Sequence, residues 1–214
     1  MNKTEIKEIL NRLEHMHPEA QCALDHRNNF ELLIAVVLSA QTTDVSVNKV
    51  TPALFEKYPD AKSLSQADVS DVENIIRTIG LYKNKTKNII NLSKVLFEDY
   101  GGEVPGNFDN LVKLPGVGRK TANVVLAEAF GEQRIAVDTH VFRVSNRIGL
   151  TECDNPQKTE EKLMKVLPHE SWTRAHHLLI FHGRKCCDAR RPKCEECLLS
   201  DLCCYYKNKN NLTL

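Results

Sequence analysis

Four cysteines toward the C-terminal end constrain this chain more than any other feature. Cys187, Cys194, Cys197 and Cys203 follow the spacing C-x6-C-x2-C-x5-C. Thiolates so close in sequence reach one centre only if the segment folds back on itself. Pro192 and the lack of an apolar period between them suit a wrapped loop. Two kinds of centre take four thiolates: tetrahedral zinc or an iron–sulfur cluster. Zinc modules usually bring two close Cys pairs, and here only Cys194–Cys197 is one, so spacing leaves both open. Cys186 and Cys204 adjoin the outer two and permit a shifted register, whereas Cys22 and Cys153 read as ordinary half-buried thiols. The start, Met1-Asn2-Lys3-Thr4-Glu5, has no apolar signal core behind it. A cytoplasmic, reducing compartment is therefore expected, where thiols bind metals or clusters rather than form disulfides.

The rest of the chain reads as helices. Apolar residues recur at helical spacing over 4–16 and 84–100, the latter stopped by Gly101-Gly102. The run 30–39 is apolar nearly all round, and Asn28 with Glu31 reads as a capping box that makes it a helix. A helix over 43–58 must kink or restart at Pro52. Ser65 and Asp68 open another that ends at Gly80, and Thr139 to Ile148 is a helix ended by Gly149. Asn155-Pro156 starts one reaching Leu167, and Ser171 caps a last one ending at Gly183. No clean period-two strand is present, so the expected fold class is all-α. At 214 residues with 42% apolar residues the chain can bury a real core in one or two domains. Its longest apolar run, about Leu32 to Leu38, is too short to span a bilayer, and nothing in it points to an oligomer, so a monomer is expected.

A net charge of +1 gives no global signal for a nucleic-acid partner. Local signals exist. Lys83, Lys85, Lys87 and Lys94 have no acid between them, and Arg184, Lys185, Arg190, Arg191 and Lys193 face Asp188 alone. Between the two lies Leu114-Pro115-Gly116-Val117-Gly118-Arg119-Lys120-Thr121-Ala122, a helix stop, a glycine turn and a new helix running to Phe130 before Gly131. Gly118 is expected to take φ > 0 or to let the backbone approach a ligand. Unpaired N–H groups at the turn and the helix start form a nest for an anion such as phosphate. Such a contact positions a nucleic acid without reading it. The plainer reading is that a Gly-x-Gly turn between helices is only a turn.

Leu114–Lys120 resembles the helix-hairpin-helix signature of DNA-repair glycosylases. With Val137-Asp138-Thr139-His140-Val141 and the cysteine spacing, the chain resembles the endonuclease III family of DNA glycosylase/AP lyases from Phe30 through Cys203. The resemblance implies two helical lobes with a cleft between, one over 22–132 and the other pairing 1–21 with 133–214. It implies a [4Fe–4S] cluster held by Cys187, Cys194, Cys197 and Cys203. It also implies a double-stranded DNA partner with a damaged base or abasic site, and no membrane. The hairpin residues Gly116, Val117, Gly118, Arg119 and Thr121, with His140 and Arg191, would meet DNA. Gln41 and Leu81, with Ile79 nearby, fall where the family fills the hole left by a flipped base. Ser39 and Asp44 match positions around the lesion pocket. Lys120 matches the nucleophilic lysine and Asp138 the catalytic carboxylate. Asp138 also reads as a simple N-cap, and Ile79 and Leu81 as core.

The expected activity is excision of oxidised pyrimidines through a lysine Schiff base, with strand cleavage 3′ to the abasic site by β-elimination. Two alternatives stand beside it. A related adenine glycosylase shares the hairpin, aspartate and cluster spacing but lacks the lysine. A non-catalytic helix-hairpin-helix module would make the conjunction of Lys120 and Asp138 a coincidence.

Overall fold

The computed structural model describes residues 1–211, so residues 212–214 of the expected second lobe lie outside the described residues. It is built of helices, with no strand among the described residues, and falls into two compact units, residues 23–132 and residues 1–22 with 133–214.

The contiguous unit is organised around α2 (Asn29–Leu38), whose residues from Phe30 to Leu38 are all buried. A helix apolar on every side needs partners on every side. They are α3 (Asp44–Lys57), α6 (Tyr82–Tyr100) and α8 (Arg119–Phe130). The short helices α4 (Ala61–Ser65) and α5 (Val69–Ile76) pack on α6, and α7 (Phe108–Leu111) leads into α8. The Asn28 side chain accepts from the Glu31 N–H, as expected. The Glu31 carboxylate does not return the bond to Asn28; it accepts from the backbone and guanidinium of Arg27 instead. Pro52 lies inside α3, which runs through it as one helix. The expected helix from Ser65 to Gly80 is corrected. Asp60 caps α4, which ends at Ser65, Asp68 caps α5, and residues 77–81 form a turn.

The discontinuous unit joins α1 (Lys3–Met16) to α9 (Thr139–Ile148), α10 (Pro156–Val166), α11 (Trp172–Lys185) and α12 (Cys204–Asn211). Ile6, Ile9 and Leu13 of α1 share a core with Val141, Val144 and Ile148 of α9 and Leu178 and Leu179 of α11. Ion pairs from Glu14 to Arg174 and from Glu19 to Lys185 fasten the start of the chain to α11. The α9 and α11 backbones approach so closely at Gly183 that a Cβ there would sit 2.9 Å from the His140 Cβ. Ser171 does not cap α11; its hydroxyl donates to the Pro168 carbonyl. α12, unforeseen in the sequence, follows the cysteine loop and packs on α9.

Candidate active site

The glycine turn is built by Pro115 and Gly116. The Val117 N–H closes it on the Leu114 carbonyl at 3.1 Å, and Gly116 has φ +78°. Proline then φ > 0 is the signature of a type II turn. Of the two expectations for Gly118 only the positive φ is corrected: the residue is extended at φ −95° and ψ 179° and occupies the N-cap of α8. A Cβ at Gly116 would lie 3.1 Å from Asn88, whereas Gly118 faces open space. With no side chain, Gly118 gives the first-turn N–H groups of α8 no capping acceptor. Arg119 and Lys120 follow, both exposed, and the Arg119 guanidinium lies 5.4 Å from the centre of the Phe108 ring. Thr121 is half-buried. Val117 is buried, so it offers this surface its backbone alone.

In the same unit, Gln41 and Leu81 are the non-glycine residues with positive φ, at 53° and 60°, among the described residues. Their turns adjoin, since a Cβ on Gly80 would lie 4.0 Å from the Gln41 carbonyl oxygen. Left-handed Leu and Gln cost of order 1 kcal/mol or more each, and such strain concentrates at functional sites. Leu81 is 56% exposed, whereas Ile79 is 3% exposed and belongs to the core. The core reading therefore applies to Ile79 and not to Leu81. Ser39 and Asp44, both half-buried, flank the Gln41 turn; the Ser39 hydroxyl donates to the Val36 carbonyl, and Asp44 opens α3. Lys85, expected on a basic face, is 4% exposed and donates from Nζ to the Thr42 Oγ1 at 2.5 Å. It bolts the start of α6 to the Gln41 turn, and burial pushes its ammonium down from the usual lysine range. Lys83, Lys87 and Lys94 remain exposed.

In the discontinuous unit Asp138 is the N-cap of α9. Its Oδ1 accepts from the N–H groups of His140 and Val141, both at 2.8 Å. Oδ2 has no hydrogen bond among the described residues, so one oxygen orients the carboxylate while the other stays open. The Arg143 Nη2 lies 3.1 Å from the His140 Nδ1. Because a guanidinium only donates, His140 carries its proton on Nε2. Burial pushes its pKa down, which favours that neutral ring.

Cys187, Cys194, Cys197 and Cys203 line one pocket, together with His182 and Cys186. His182, Cys186 and Cys197 offer atoms within 4.8 Å of one another. Hydrogen bonding from Cys186 and then His182 pulls the Cys197 thiol down toward its thiolate, against its burial, while burial pushes Cys194 and Cys203 up. Convergent thiols with an N–H from Leu199 on Cys197 (3.4 Å) and the Arg147 guanidinium at Cys187 (3.5 Å) suit a sulfur-bound centre carrying negative charge. Two α9 arginines, invisible as functional in the sequence, hold this loop. Arg143 donates to the carbonyls of Gly183 and Cys187, and Arg147 to those of Asp188 and Ala189. Asp188 in turn accepts from the backbone of Arg190 and Arg191, whose side chains are exposed. Cys204 lies on α12 against Gly149.

The family model described as HhH-GPD superfamily base excision DNA repair protein matches residues 34–169. Endonuclease III of Bacillus subtilis is 51% identical over 95% of this chain and 93% of its own length. The chain belongs to the endonuclease III family. Endonuclease III of Escherichia coli is 50% identical over 98% of this chain and 99% of its own. A second family model, the iron-sulfur binding domain of endonuclease III, matches residues 187–203, beginning on Cys187 and ending on Cys203. The family cofactor is a [4Fe–4S] cluster, which also answers the choice between zinc and cluster that spacing left open. Among solved structures, a trapped endonuclease III–DNA covalent intermediate matches with a TM-score of 0.93 at 50% identity, covering 98% of this chain and 99% of that one. A thermostable thymine-DNA glycosylase matches at 0.85 and 28% identity, covering 96% and 98%. No helix among the described residues is long and apolar enough to cross a membrane.

Proposed function

We propose that this protein is a bifunctional DNA glycosylase and AP lyase of base excision repair that removes oxidised pyrimidines from duplex DNA. The observation that carries it is the exposed Lys120 in the first turn of an uncapped helix, inside the segment matched by the base-excision family. The N–H groups of that turn hold a phosphate of the damaged strand, with Arg119 and Thr121 beside it. Leu81 and Gln41 enter the stack vacated by the flipped nucleotide, Leu81 as the wedge and Gln41 as hydrogen-bonding partner of the widowed base. Ser39 and Asp44 border the lesion pocket, and the His140 ring Nε2–H and the Arg191 side chain meet the backbone. The Lys120 amine attacks C1′ and the base leaves with the bonding electrons and a proton. The sugar ring opens to an iminium, whose C2′ proton is then acidic, and loss of that proton expels the 3′ phosphate. Asp138 stabilises positive charge at C1′ through its open Oδ2 and relays the proton released by Lys120.

Cys187, Cys194, Cys197 and Cys203 hold the cluster, which supplies a redox-active centre and a rigid frame for the loop carrying Arg190 and Arg191. The protein works as a monomer in the cytoplasm and meets the nucleoid when engaged on DNA. The test is borohydride trapping on duplex DNA bearing one thymine glycol, comparing wild type with Lys120→Gln. A covalent adduct in wild type that is lost in the variant is the expected result. Base release by wild type without any adduct would overturn the lysine mechanism in favour of a monofunctional glycosylase.

A further inference from the structure

His182 has no part in the chemistry above, yet each of its ring nitrogens faces a different partner. It is 2% exposed near the end of α11. Its Nε2 lies 3.6 Å from the Cys197 Sγ, and its Nδ1 lies 3.1 Å from the Nε2 of His17, the C-cap residue of α1. The two rings meet edge to face with centroids 5.4 Å apart. His17 is 3% exposed, and its Nδ1 has no hydrogen-bond partner.

Counting protons fixes the direction of this chain. Two neutral imidazoles share one N–H between them. If His182 donated it, its Nε2 would turn a lone pair toward the thiolate sulfur, and His17 would carry its proton on Nδ1 as a buried donor with no acceptor. If His17 donates from Nε2, His182 accepts at Nδ1 and must carry its proton on Nε2, aimed at the sulfur. The unpartnered His17 Nδ1 is then a lone pair, the less costly orphan, since buried N–H groups without acceptors are the rarer violation.

We infer that His17 and His182 form a two-imidazole relay that presents a fixed N–H to the Cys197 sulfur and so raises the reduction potential of the cluster. The inference rests on Cys197 being a cluster ligand. An N–H on a ligating sulfur offsets the negative charge gained on reduction, so it favours the reduced form of the one-electron couple. The relay also makes α1, more than 150 residues away in sequence, part of the environment of the metal centre.

The test is voltammetry of the cluster-loaded protein, with the electrode supplying the electron. The comparison is wild type against His182→Phe, His17→Leu and His17→Gln, with cluster absorbance per protein recorded for each. His182→Phe and His17→Leu are expected to move the midpoint potential to more negative values. His17→Gln, whose amide N–H donates to Nδ1 in place of the imidazole, is expected to stay near wild type. A purely packing role would lower cluster content without separating Leu from Gln at position 17. Loaded His182→Phe and His17→Leu proteins with the wild-type potential overturn the relay. If His182→Phe does not load, the His17 pair decides, because it does not touch the sulfur. A Cys197→Ala protein that keeps full cluster absorbance would overturn the ligand assignment instead.

Discussion

Asp138 caps α9, and the catalytic role proposed for it can be separated from that cap. Asp138→Asn keeps a capping oxygen and removes the charge, so stability should change little while base excision falls by 100-fold or more, an estimate typical of a lost electrostatic or acid–base group. Asp138→Ala loses the cap as well and should cost a further ~1 kcal/mol in urea denaturation. An Asp138→Asn protein with wild-type activity and stability, beside an Asp138→Ala protein that loses stability, would leave Asp138 only a cap. The two hairpin glycines separate in the same way. Gly116→Ala forces a Cβ into a left-handed residue 3.1 Å from Asn88 and should destabilise by about 1 kcal/mol or more. Gly118→Ala puts its Cβ into open space on extended backbone, so it should spare the melting temperature and weaken DNA binding. The sequence held the signal that tells these glycines apart, since Pro115-Gly116 carries the type II turn while Gly118 merely precedes a helix. It held no signal that Leu81 and Gln41 are left-handed, because neither residue type favours that region.

At the scale of elements, α9 sets the candidate site and the cluster loop in one piece. Its N-terminus carries Asp138 and His140, and one helical face carries Arg143 and Arg147, four residues apart. Truncating Arg147 to Ala should speed cluster loss in air and lower DNA affinity together, because the loop bearing Arg190 and Arg191 loses its hold; cluster absorbance against time and a binding isotherm would check this. The i, i+4 spacing of these arginines was readable, but not their acceptors, which are backbone carbonyls some 40 residues away. α3 and α5 are joined by Asp71, which accepts from the Lys57 ammonium and the Tyr58 hydroxyl. Burial, with the Asp71 hydrogen bond behind it, pushes the Tyr58 hydroxyl up to about 12. Its stabilising contribution is therefore intact below the unfolded value near 10 and is lost as pH rises toward 12. Alkaline denaturation should cost wild type more stability than Tyr58→Phe across that window. Helix periods and caps gave α1, α2, α6, α8 and α9 nearly to the residue. The stretch 60–80 was misread because Asp60 and Asp68 each cap a helix too short to show a period.

On the scale of the whole molecule, the helical class was plain from periodicity. No period in residues 1–22 shows that they pack with the chain beyond 133; that depends on pairs such as Glu14 with Arg174 and His17 with His182, more than 150 residues apart. Removing the cluster should raise hydrogen exchange over 187–203, whose regular structure is a single short turn at Cys194–Glu196, while α2, α3 and α6 in the contiguous unit keep their protection.

The split unit also sets an order of events on the ribosome. The chain emerges at roughly 5–20 residues per second, so α1 waits on the order of 6–25 s between its own synthesis and that of the first residues of α9. Residues 23–132 can collapse around α2 during that interval. Ile6, Ile9 and Leu13 have no lasting partner until α9 and α11 appear, which makes the newborn N-terminus the stretch most in need of a chaperone. Its docking on α9 and α11, like the folding of the cysteine loop, comes late in synthesis.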